Sequence, residues 1–277
     1  MSAIASSSTI CSTTSETPSK TPIYVYTTPR MFGKYHVVEP SCIAEMYAAF
    51  KTHGVAHSRI VEIPDPSYFQ RLEKESEGVV SLLGGHAHFQ SNTLKGKPAD
   101  AITKFVERGG GWFGSCAGAI TASQQLTRRA PIWLTFSDGL LNLLPIHAIH
   151  PINFPAEKQR VGACVIPILD EEGGQFPSIW NEGVFFQILD TDYKSFKVEA
   201  RYADVTDEPI AAISGTYGKG KVSLIAFHPE SDLPTTSKSL ENKEEKEPPS
   251  ASASAVPTAL HPKDKFLARQ FKKVGIL

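Results

Sequence analysis

One cysteine of this chain lies in a setting that could make it a nucleophile. Cys116 is the centre of Gly114–Gly118, a Gly-Ser-Cys-Ala-Gly run that follows the apolar residues Trp112 and Phe113. A helix-compatible run, Ala119–Gln125, comes next. A nucleophile framed by glycines between a strand and a helix is typical of the nucleophile elbow, a sharp turn that lifts one side chain clear of a sheet. We therefore predict that Cys116 lies at such an elbow.

Two roles are open to this cysteine. A helix that begins behind it would favour the thiolate over the thiol, and the free N–H groups of that helix would face an incoming carbonyl. The alternative is a buried structural thiol, which is the commoner role of a free cysteine. The glycine frame favours the elbow, because strained backbone and closely approaching strands both require residues without a side chain.

An elbow cysteine needs a base, and the base needs a group that orients it. The chain has nine histidines, so only position can select one. His228 directly follows an apolar run, Lys221–Phe227, and Glu230 comes two residues after it. Carboxyl ends of parallel strands lie at one edge of a sheet, so Cys116 and His228 should face the same rim. We predict that Cys116, His228 and Glu230 are the catalytic residues.

The elements that must position these residues alternate between strands and helices. Apolar runs predict strands at Ile23–Tyr26, Arg59–Ile63, Val79–Leu83 and Lys221–Phe227. Apolar spacing and breaker residues predict helices at Pro40–Gly54, Pro66–Glu75, Pro98–Arg108 and Lys263–Val274. Such alternation indicates right-handed βαβ units and a mostly parallel sheet. Residues 130–216 instead carry short apolar segments between turns, which favours added antiparallel strands.

Two polar regions, residues 1–21 and 233–262, lie outside this alternation of strands and helices. Residues 1–21 are rich in Ser and Thr and predict a disordered tail, so the ordered domain should span residues 22–277. Within it, residues 233–262 combine a Lys/Glu run with a Pro/Ser/Ala run and predict a solvated low-complexity loop.

Composition excludes several classes of function. The 277 residues carry a net charge of −1, which gives no general attraction to nucleic acid or to an anionic membrane. No apolar run approaches the roughly 20 residues that span a bilayer, and no secretory signal is recognisable. The four cysteines contain no C-x-x-C pair, so we predict no metal site, no cofactor and a reducing, cytoplasmic location.

The elbow and the later His-Pro-Glu segment, in this order, resemble the Cys-His-Glu triad of the class I glutamine-amidotransferase-like superfamily. Within that superfamily, three further stretches are most similar to the N-terminal domain of eukaryotic-type biotin–protein ligases: Leu83–His86, Ser178–Gly183 and Tyr217–Val222. The resemblance covers roughly residues 22–230. The fold class we predict is α/β, a flavodoxin-like three-layer sandwich with a mostly parallel sheet and added antiparallel strands.

The resemblance implies a role for each site residue. Cys116 would attack an amide or ester carbonyl, His228 would accept its proton, and Glu230 would hold the imidazole tautomer. The backbone N–H groups of Gly85 and Ala117 would form the oxyanion hole. Gly84, His86 and Asn181 would line the pocket. For the two glycines the alternative is an ordinary strand-ending turn, and for Asn181 a plain turn between strands.

The sequence also departs from the working amidotransferases. Those that hydrolyse glutamine commonly carry Gln at the position of Ile120. The catalytic segments of a biotin ligase are also missing from these residues, so we expect no biotin ligation. Two hypotheses stay open: a cysteine hydrolase or amidotransferase-like enzyme acting on a small amide, or a catalytically silent binding or regulatory module. A separately encoded partner protein is compatible with both.

Three other motifs have weaker interpretations. Two histidine pairs could bind a metal: His86 with His88, and His147 with His150. Such pairs are more typical of solvent-exposed or packed histidines. The Gly-Lys-Gly-Lys run at Gly218–Lys221 lacks the spacing of a phosphate loop and precedes a strand. It therefore predicts a hairpin turn.

Overall fold

The computed structural model of the chain describes residues 21–129, 133–136, 140–150, 163–181, 183–233 and 260–277. Within these ranges most strands join one 13-stranded sheet, and β2 and β3 form a separate hairpin. The strands are β1 (Ile23–Tyr26), β2 (Met31–Phe32), β3 (Tyr35–His36), β4 (Ile60–Ile63), β5 (Val79–Leu82), β6 (Gly111–Ser115), β7 (Gln125–Arg129), β8 (Trp133–Phe136), β9 (Ile146–His150), β10 (Ala163–Asp170), β11 (Gln175–Asn181), β12 (Phe185–Ile188), β13 (Phe196–Tyr202), β14 (Ile210–Tyr217) and β15 (Gly220–Ile225).

The core of the sheet is parallel. Its five strands lie in the order β4-β1-β5-β6-β15, and every neighbouring pair among them is parallel. Numbered along the chain within this set, the order is 2-1-3-4-5, the order of flavodoxin-like folds. All residues of β5 and β6 are buried, as expected for strands covered on both faces. The predicted α/β fold class is confirmed.

Helices cover both faces of this core. They are α1 (Pro40–Thr52), α2 (Ala87–Leu94), α3 (Lys97–Arg108), α4 (Ala117–Thr121) and α5 (Pro262–Val274), with 3₁₀ helices at His57–Arg59 and Pro66–Lys74. Phe105 of α3 packs on Tyr24, with ring centroids 6.1 Å apart. Phe271 of α5 packs on Phe113, with centroids 5.3 Å apart. Tyr24 and Phe113 occupy alternate register positions and therefore opposite faces, so α3 and α5 form the two outer layers.

The remaining strands extend the sheet beyond β15 by antiparallel pairing, except that β7 and β9 are parallel. Strand β14 pairs antiparallel with β15 and β13, and β10 continues from β13 to β11. Strands β12 and β9 continue the sheet on the other path. The β14–β15 turn contains Gly218 at φ +58°, which confirms the predicted hairpin. These pairings confirm the added antiparallel strands.

Three local elements differ from the sequence prediction. Helix α4 has only five residues, and the run predicted to continue it to Gln125 instead enters β7, which pairs with β9 and β8. Helix α2 was not predicted, because its buried positions include the polar Gln90 and Ser91 and so carry no apolar stripe. The β2–β3 hairpin was missed because each strand has two residues.

The chain closes with α5, as predicted. Its inward face consists of Phe266, Leu267, Gln270 and Phe271, all buried. The helix begins at Pro262, so it takes one residue from the segment predicted as a loop. The predicted tail at 1–21 and the body of the 233–262 loop lie outside the described residues, apart from their ends. None of the helices in the described ranges is long and apolar enough to cross a membrane.

Candidate active site

Cys116 occupies a strained turn between β6 and α4. Its backbone has φ +51° and ψ −112°, a conformation that residues with a side chain rarely adopt. The Cys116 N–H donates to the carbonyl of Ile225 at 2.8 Å, which ties the turn to the end of β15. Its own carbonyl accepts from the N–H of Ala119 at 3.0 Å. Strain of this kind persists only where surrounding contacts hold it, and it clusters at functional sites.

The two framing glycines leave no room for a side chain. A Cβ on Gly118 would lie 1.9 Å from the carbonyl oxygen of Leu82, in the neighbouring strand β5. A Cβ on Gly114 would lie 2.7 Å from the carbonyl oxygen of Gly118. The close approach of strand and helix that the motif predicts is therefore present, and Cys116 sits where an elbow places its nucleophile.

His228 is fixed beside the elbow by its backbone. The chain leaves β15 at Ile225 and forms an isolated antiparallel bridge between His228 and Ile179 of β11. The His228 N–H donates to the Ile179 carbonyl at 2.9 Å, and the Ser178 hydroxyl donates to the His228 carbonyl at 3.0 Å. Both β11 residues belong to a stretch that carries the family resemblance. The extra antiparallel strands therefore position the imidazole.

Glu230 meets the imidazole as predicted. Its Oε1 lies 3.0 Å from Nδ1 of His228, and its side chain is fully buried. The Ser115 hydroxyl lies 3.0 Å from Oε1 and 3.1 Å from Oε2, so it donates a hydrogen bond shared between the two oxygens. Sequence reasoning missed Ser115, although its place next to the nucleophile was a usable signal.

The charge state of His228 follows from these neighbours. Burial of the ring opposes protonation and would lower its pKa. The charge interaction and hydrogen bond with Cys116, together with hydrogen bonds to Cys42 and Glu230, outweigh burial and raise the pKa of His228 well above its ordinary value. An imidazole beside a cysteine is the arrangement by which cysteine nucleophiles are commonly activated.

A second cysteine, which sequence reasoning did not select, faces the same histidine. Sγ of Cys42, on α1, lies 3.9 Å from Nδ1 of His228. Burial raises the pKa of the Cys42 thiol, against the lowering effect of His228. Gly84 packs against both groups: a Cβ there would lie 2.6 Å from Sγ of Cys42 and 2.7 Å from Cε1 of His228.

The predicted oxyanion donors lie at the same pocket. Gly85 has φ +151°, and a Cβ there would lie 2.3 Å from the carbonyl oxygen of Val37, so only glycine fits. Ala117 is the first residue of α4, where a helical N–H has no partner within its helix. In the described part of the chain, neither residue's N–H forms a backbone hydrogen bond. Both residues line a pocket of 850 Å³ together with Cys116 and His228.

The other predicted site residues lie at the rim and walls of this pocket. His86 stacks on Phe89, with ring centroids 4.2 Å apart, and Asn181 ends β11 as an exposed residue. Ile120 also lines the pocket, and its side chain is buried. The structure thus brings all eight predicted residues to one place: Cys116, His228, Glu230, Gly84, Gly85, His86, Ala117 and Asn181.

The alternative histidine pairs have ordinary partners. His88 is bonded to Asn92 at 3.0 Å, and His147 to Thr127 at 2.6 Å. Burial lowers the pKa of His147. Among the described residues, the group of potential metal ligands that does come together consists of Cys42, His228 and Glu230. That grouping was not anticipated from cysteine spacing.

Comparison with known proteins gives two sequence relatives. The biotin–protein ligase of Schizosaccharomyces pombe (strain 972) is 31% identical over 184 residues, which cover 57% of this chain and 27% of the ligase. The chain is similar to this ligase over more than half of its length. An uncharacterized protein of Chlamydia muridarum is 28% identical over 164 residues, covering 57% of this chain and 62% of that protein. The resemblance to biotin–protein ligases is thus confirmed.

A glutamine amidotransferase crystal structure superposes with a TM-score of 0.49 and 22% identity, covering 68% of this chain and 85% of that one. No family model matches the sequence. The ligase similarity, the 2-1-3-4-5 strand order and the elbow support a link to the class I glutamine-amidotransferase-like superfamily. This chain spans about a quarter of the ligase's length, at 27%.

Proposed function

We propose that this chain is a cysteine-dependent, amidotransferase-like hydrolase that cleaves a small amide. The observation that carries the proposal is the Glu230–His228 pair, 3.0 Å apart, at the elbow that presents Cys116. A glycine-framed cysteine alone is compatible with a structural thiol. A buried carboxylate that orients an imidazole beside that cysteine is the arrangement of a nucleophile, a base and an orienting group.

The residues account for each step of the reaction. Sγ of Cys116 attacks the amide carbon, and Nε2 of His228 holds the thiol proton, because Nδ1 is engaged by Glu230. The N–H groups of Ala117 and Gly85 stabilise the oxyanion. The C–N bond then breaks, and the amine leaves with the proton from His228. Water attacks the resulting thioester, giving its proton to His228, and the acid and free thiol are released.

The proposed location follows from this chemistry. The nucleophile must stay reduced, and the cysteines in the described residues, Cys42, Cys116 and Cys164, are all free. We place the activity in a reducing, cytoplasmic environment on this ground. A small amide is the proposed substrate class because the pocket of 850 Å³ is of the size that holds small molecules.

Selective alkylation tests the nucleophile. Under limiting iodoacetamide we expect Cys116 to be labelled at least about tenfold faster than Cys42 or Cys164, because the thiolate is the reacting form and burial raises the pKa of Cys42. Mass-spectrometric mapping of the native protein measures the three rates. Labelling of Cys42 and Cys164 with Cys116 unmodified would contradict the proposal.

The base is tested with an electrophilic glutamine analogue. We expect a covalent adduct on Cys116 in the wild type and its loss in His228→Ala, since the imidazole no longer stabilises the thiolate. His147→Ala is the matched control, because its ring is bonded to Thr127 and does not line the pocket. Equal adduct formation in both variants would exclude His228 as the activating group.

One observation favours a second function, a catalytically silent binding module. Ile120 places an apolar side chain in the pocket at the position where glutamine-hydrolysing relatives commonly carry Gln. A silent module would bind its ligand equally well in the wild type and in Cys116→Ala, and would form no adduct. Adduct formation that requires His228 decides between the two candidates.

A further inference from the structure

Cys42 has no part in the proposed reaction, yet it is one of three metal-ligating side chains that converge beside the nucleophile. One ligand atom from each of Cys42, His228 and Glu230 lies within 4.8 Å of the others. All three side chains are buried. We propose that these residues form a binding site for a thiophilic divalent cation such as Zn²⁺, and that the bound ion switches off His228 as a base.

The donor set fits this class of ion. A thiolate, an imidazole nitrogen and a carboxylate oxygen are the three ligand types that zinc takes in proteins, and catalytic-type sites use three protein ligands with a fourth position open. Hard cations such as Mg²⁺ and Ca²⁺ prefer oxygen ligands alone and would leave the sulfur unused.

The distances fit as well. Tetrahedral zinc with ordinary bond lengths separates a sulfur from a nitrogen ligand by about 3.5 Å, and a nitrogen from an oxygen by about 3.4 Å. Sγ of Cys42 lies 3.9 Å from Nδ1 of His228, and Nδ1 lies 3.0 Å from Oε1 of Glu230. Both separations are within about half an ångström of these values, so small side-chain rotations complete the geometry.

An ion can reach the site through the substrate pocket. Cys42 and His228 both line this cavity, whose volume is 850 Å³. Glu230 lies behind them and is held by the Ser115 hydroxyl, so the carboxylate that would neutralise the ion is already oriented. Cys116 opens onto the same cavity and stays outside the ligand set.

Binding at Nδ1 changes the tautomer of His228. A neutral imidazole that coordinates a metal through one nitrogen carries its proton on the other. The ion therefore takes the place of the Nδ1 proton and leaves Nε2 protonated, so that Nε2 cannot accept the proton of Cys116. Relative to the neutral ring that carries its proton on Nδ1, this proton moves to Nε2 and is not released, so binding releases only the Cys42 thiol proton, about one proton per ion. This inhibitory consequence rests on the proposed function, whereas the binding does not.

Cobalt spectroscopy tests the ligand set directly. Co²⁺ is added to the 277-residue chain carrying Cys116→Ala, and thiolate-to-cobalt charge-transfer absorption is followed to saturation. We expect the band at one ion per chain, and we expect it to disappear when Cys42→Ala or Cys42→Ser is added. Cys164→Ala, a cysteine outside the pocket, is the matched control and should leave the band intact. The affinity of the protein for Zn²⁺, measured by competition with a chromophoric chelator, should fall at least about tenfold in the Cys42 variants.

Two results would overturn the proposal: no stoichiometric cobalt band in Cys116→Ala, or a band that survives in both Cys42 variants. The inhibitory step has its own measurement, the alkylation rate of Cys116 with and without Zn²⁺. It should fall in the wild type and stay unchanged in Cys42→Ala. An unreactive Cys116 in metal-free protein would refute the proposed function and leave the cobalt result standing.

Discussion

The carboxylate that contacts His228 is itself held by a hydroxyl group, that of Ser115. Ser115 is fully buried and holds both oxygens of Glu230, while Glu230 holds Nδ1 of His228. A buried carboxylate that loses such a partner keeps its desolvation cost without the compensating hydrogen bond. In the proposed mechanism, Ser115 is therefore a positioning residue that acts on His228 through the carboxylate.

Ser115→Ala measures this role. We expect the alkylation rate of Cys116 to fall about tenfold and the free energy of unfolding to fall by about 2 kcal/mol, the usual range for hydrogen bonds to charged groups. The same variant should change the pH profile of alkylation, which a purely structural serine would not do.

Ser223→Ala is the matched control for that experiment. Ser223 is also fully buried, and its hydroxyl donates to Oε1 of Gln270, a residue of α5, at 3.0 Å. It should lower stability without changing the alkylation rate or its pH profile. An unchanged profile in both serine variants would show that Glu230 holds His228 without help.

At the scale of elements, the elbow depends on how closely β5 and α4 approach. The five residues of α4 are too few to be stable as an isolated helix, so its position comes from packing. Gly118 provides that contact, since its Cα lies directly against the backbone of Leu82. The strained φ of Cys116 is held between this contact and the hydrogen bond to Ile225.

Gly118→Ala tests the contact. A Cβ at 1.9 Å from the Leu82 carbonyl oxygen cannot be accommodated by a side-chain rotation, because the obstacle is backbone. We expect a loss of about 3 kcal/mol in the free energy of unfolding and loss of selective Cys116 labelling. Chemical denaturation and mass-spectrometric mapping measure the two effects.

Gly54→Ala separates the steric effect from the loss of a glycine. Gly54 has φ +75° and open space around its Cα, so alanine there meets backbone strain alone, about 1 kcal/mol. Labelling of Cys116 should be unaffected. A similar loss of selectivity in both variants would refute a specific role for the β5–α4 contact.

At the scale of the whole molecule, α5 joins the parallel core to the antiparallel extension. Glu199 of β13 is buried and bonded to Lys273 and Gln270 of α5 and to Ser214 of β14. Burial alone would raise the pKa of Glu199, but Lys273, Ser214 and Gln270 outweigh it and lower the pKa below the ordinary value. The carboxylate is thus charged and paired inside the fold.

The pH dependence of stability follows from that shift. Because the folded-state pKa of Glu199 lies below its ordinary value of 4.5, its stabilising contribution is complete above that pH. The contribution is lost as the pH falls through the lower folded-state pKa. We expect Glu199→Gln to lower Tm at neutral pH and to weaken the further loss of Tm on acidification below about pH 4.5.

Glu172→Gln is the control for the acid measurement. The Glu172 carboxylate lies 3.0 Å from the guanidinium of Arg269, a residue of α5, but the Glu172 side chain is largely exposed. Exposed pairs contribute little, so Tm and its acid dependence should stay close to wild type. Parallel acid curves for Glu199→Gln and wild type would show that this carboxylate does not link folding to pH.

Much of the fold and of the candidate site can be predicted from local sequence patterns. The alternation of apolar runs with helical spacing predicts the parallel core, because βαβ units pair neighbouring strands and the covered strands are continuously apolar. The elbow is recognisable because it needs glycines at fixed positions, and His228 with Glu230 is recognisable because both follow the closing strand. Helix α5 was predicted from the spacing of its apolar face.

Other features depend on contacts between distant segments. Ser115 lies in the elbow motif and Cys42 in none, but neither sequence position shows what the side chain contacts. The fold brings Ser115 to Glu230 and Cys42 to His228, each more than a hundred residues away in the chain. Helix α2 was not predicted because it buries polar side chains. Helix α4 was predicted too long because the pairing of β7 with β9 overrides local helix preference. Local sequence determines which backbone turns and strands can form, since it sets propensity and steric freedom. Which side chains share a pocket is decided by long-range packing, and the convergence of Cys42, His228 and Glu230 arises there.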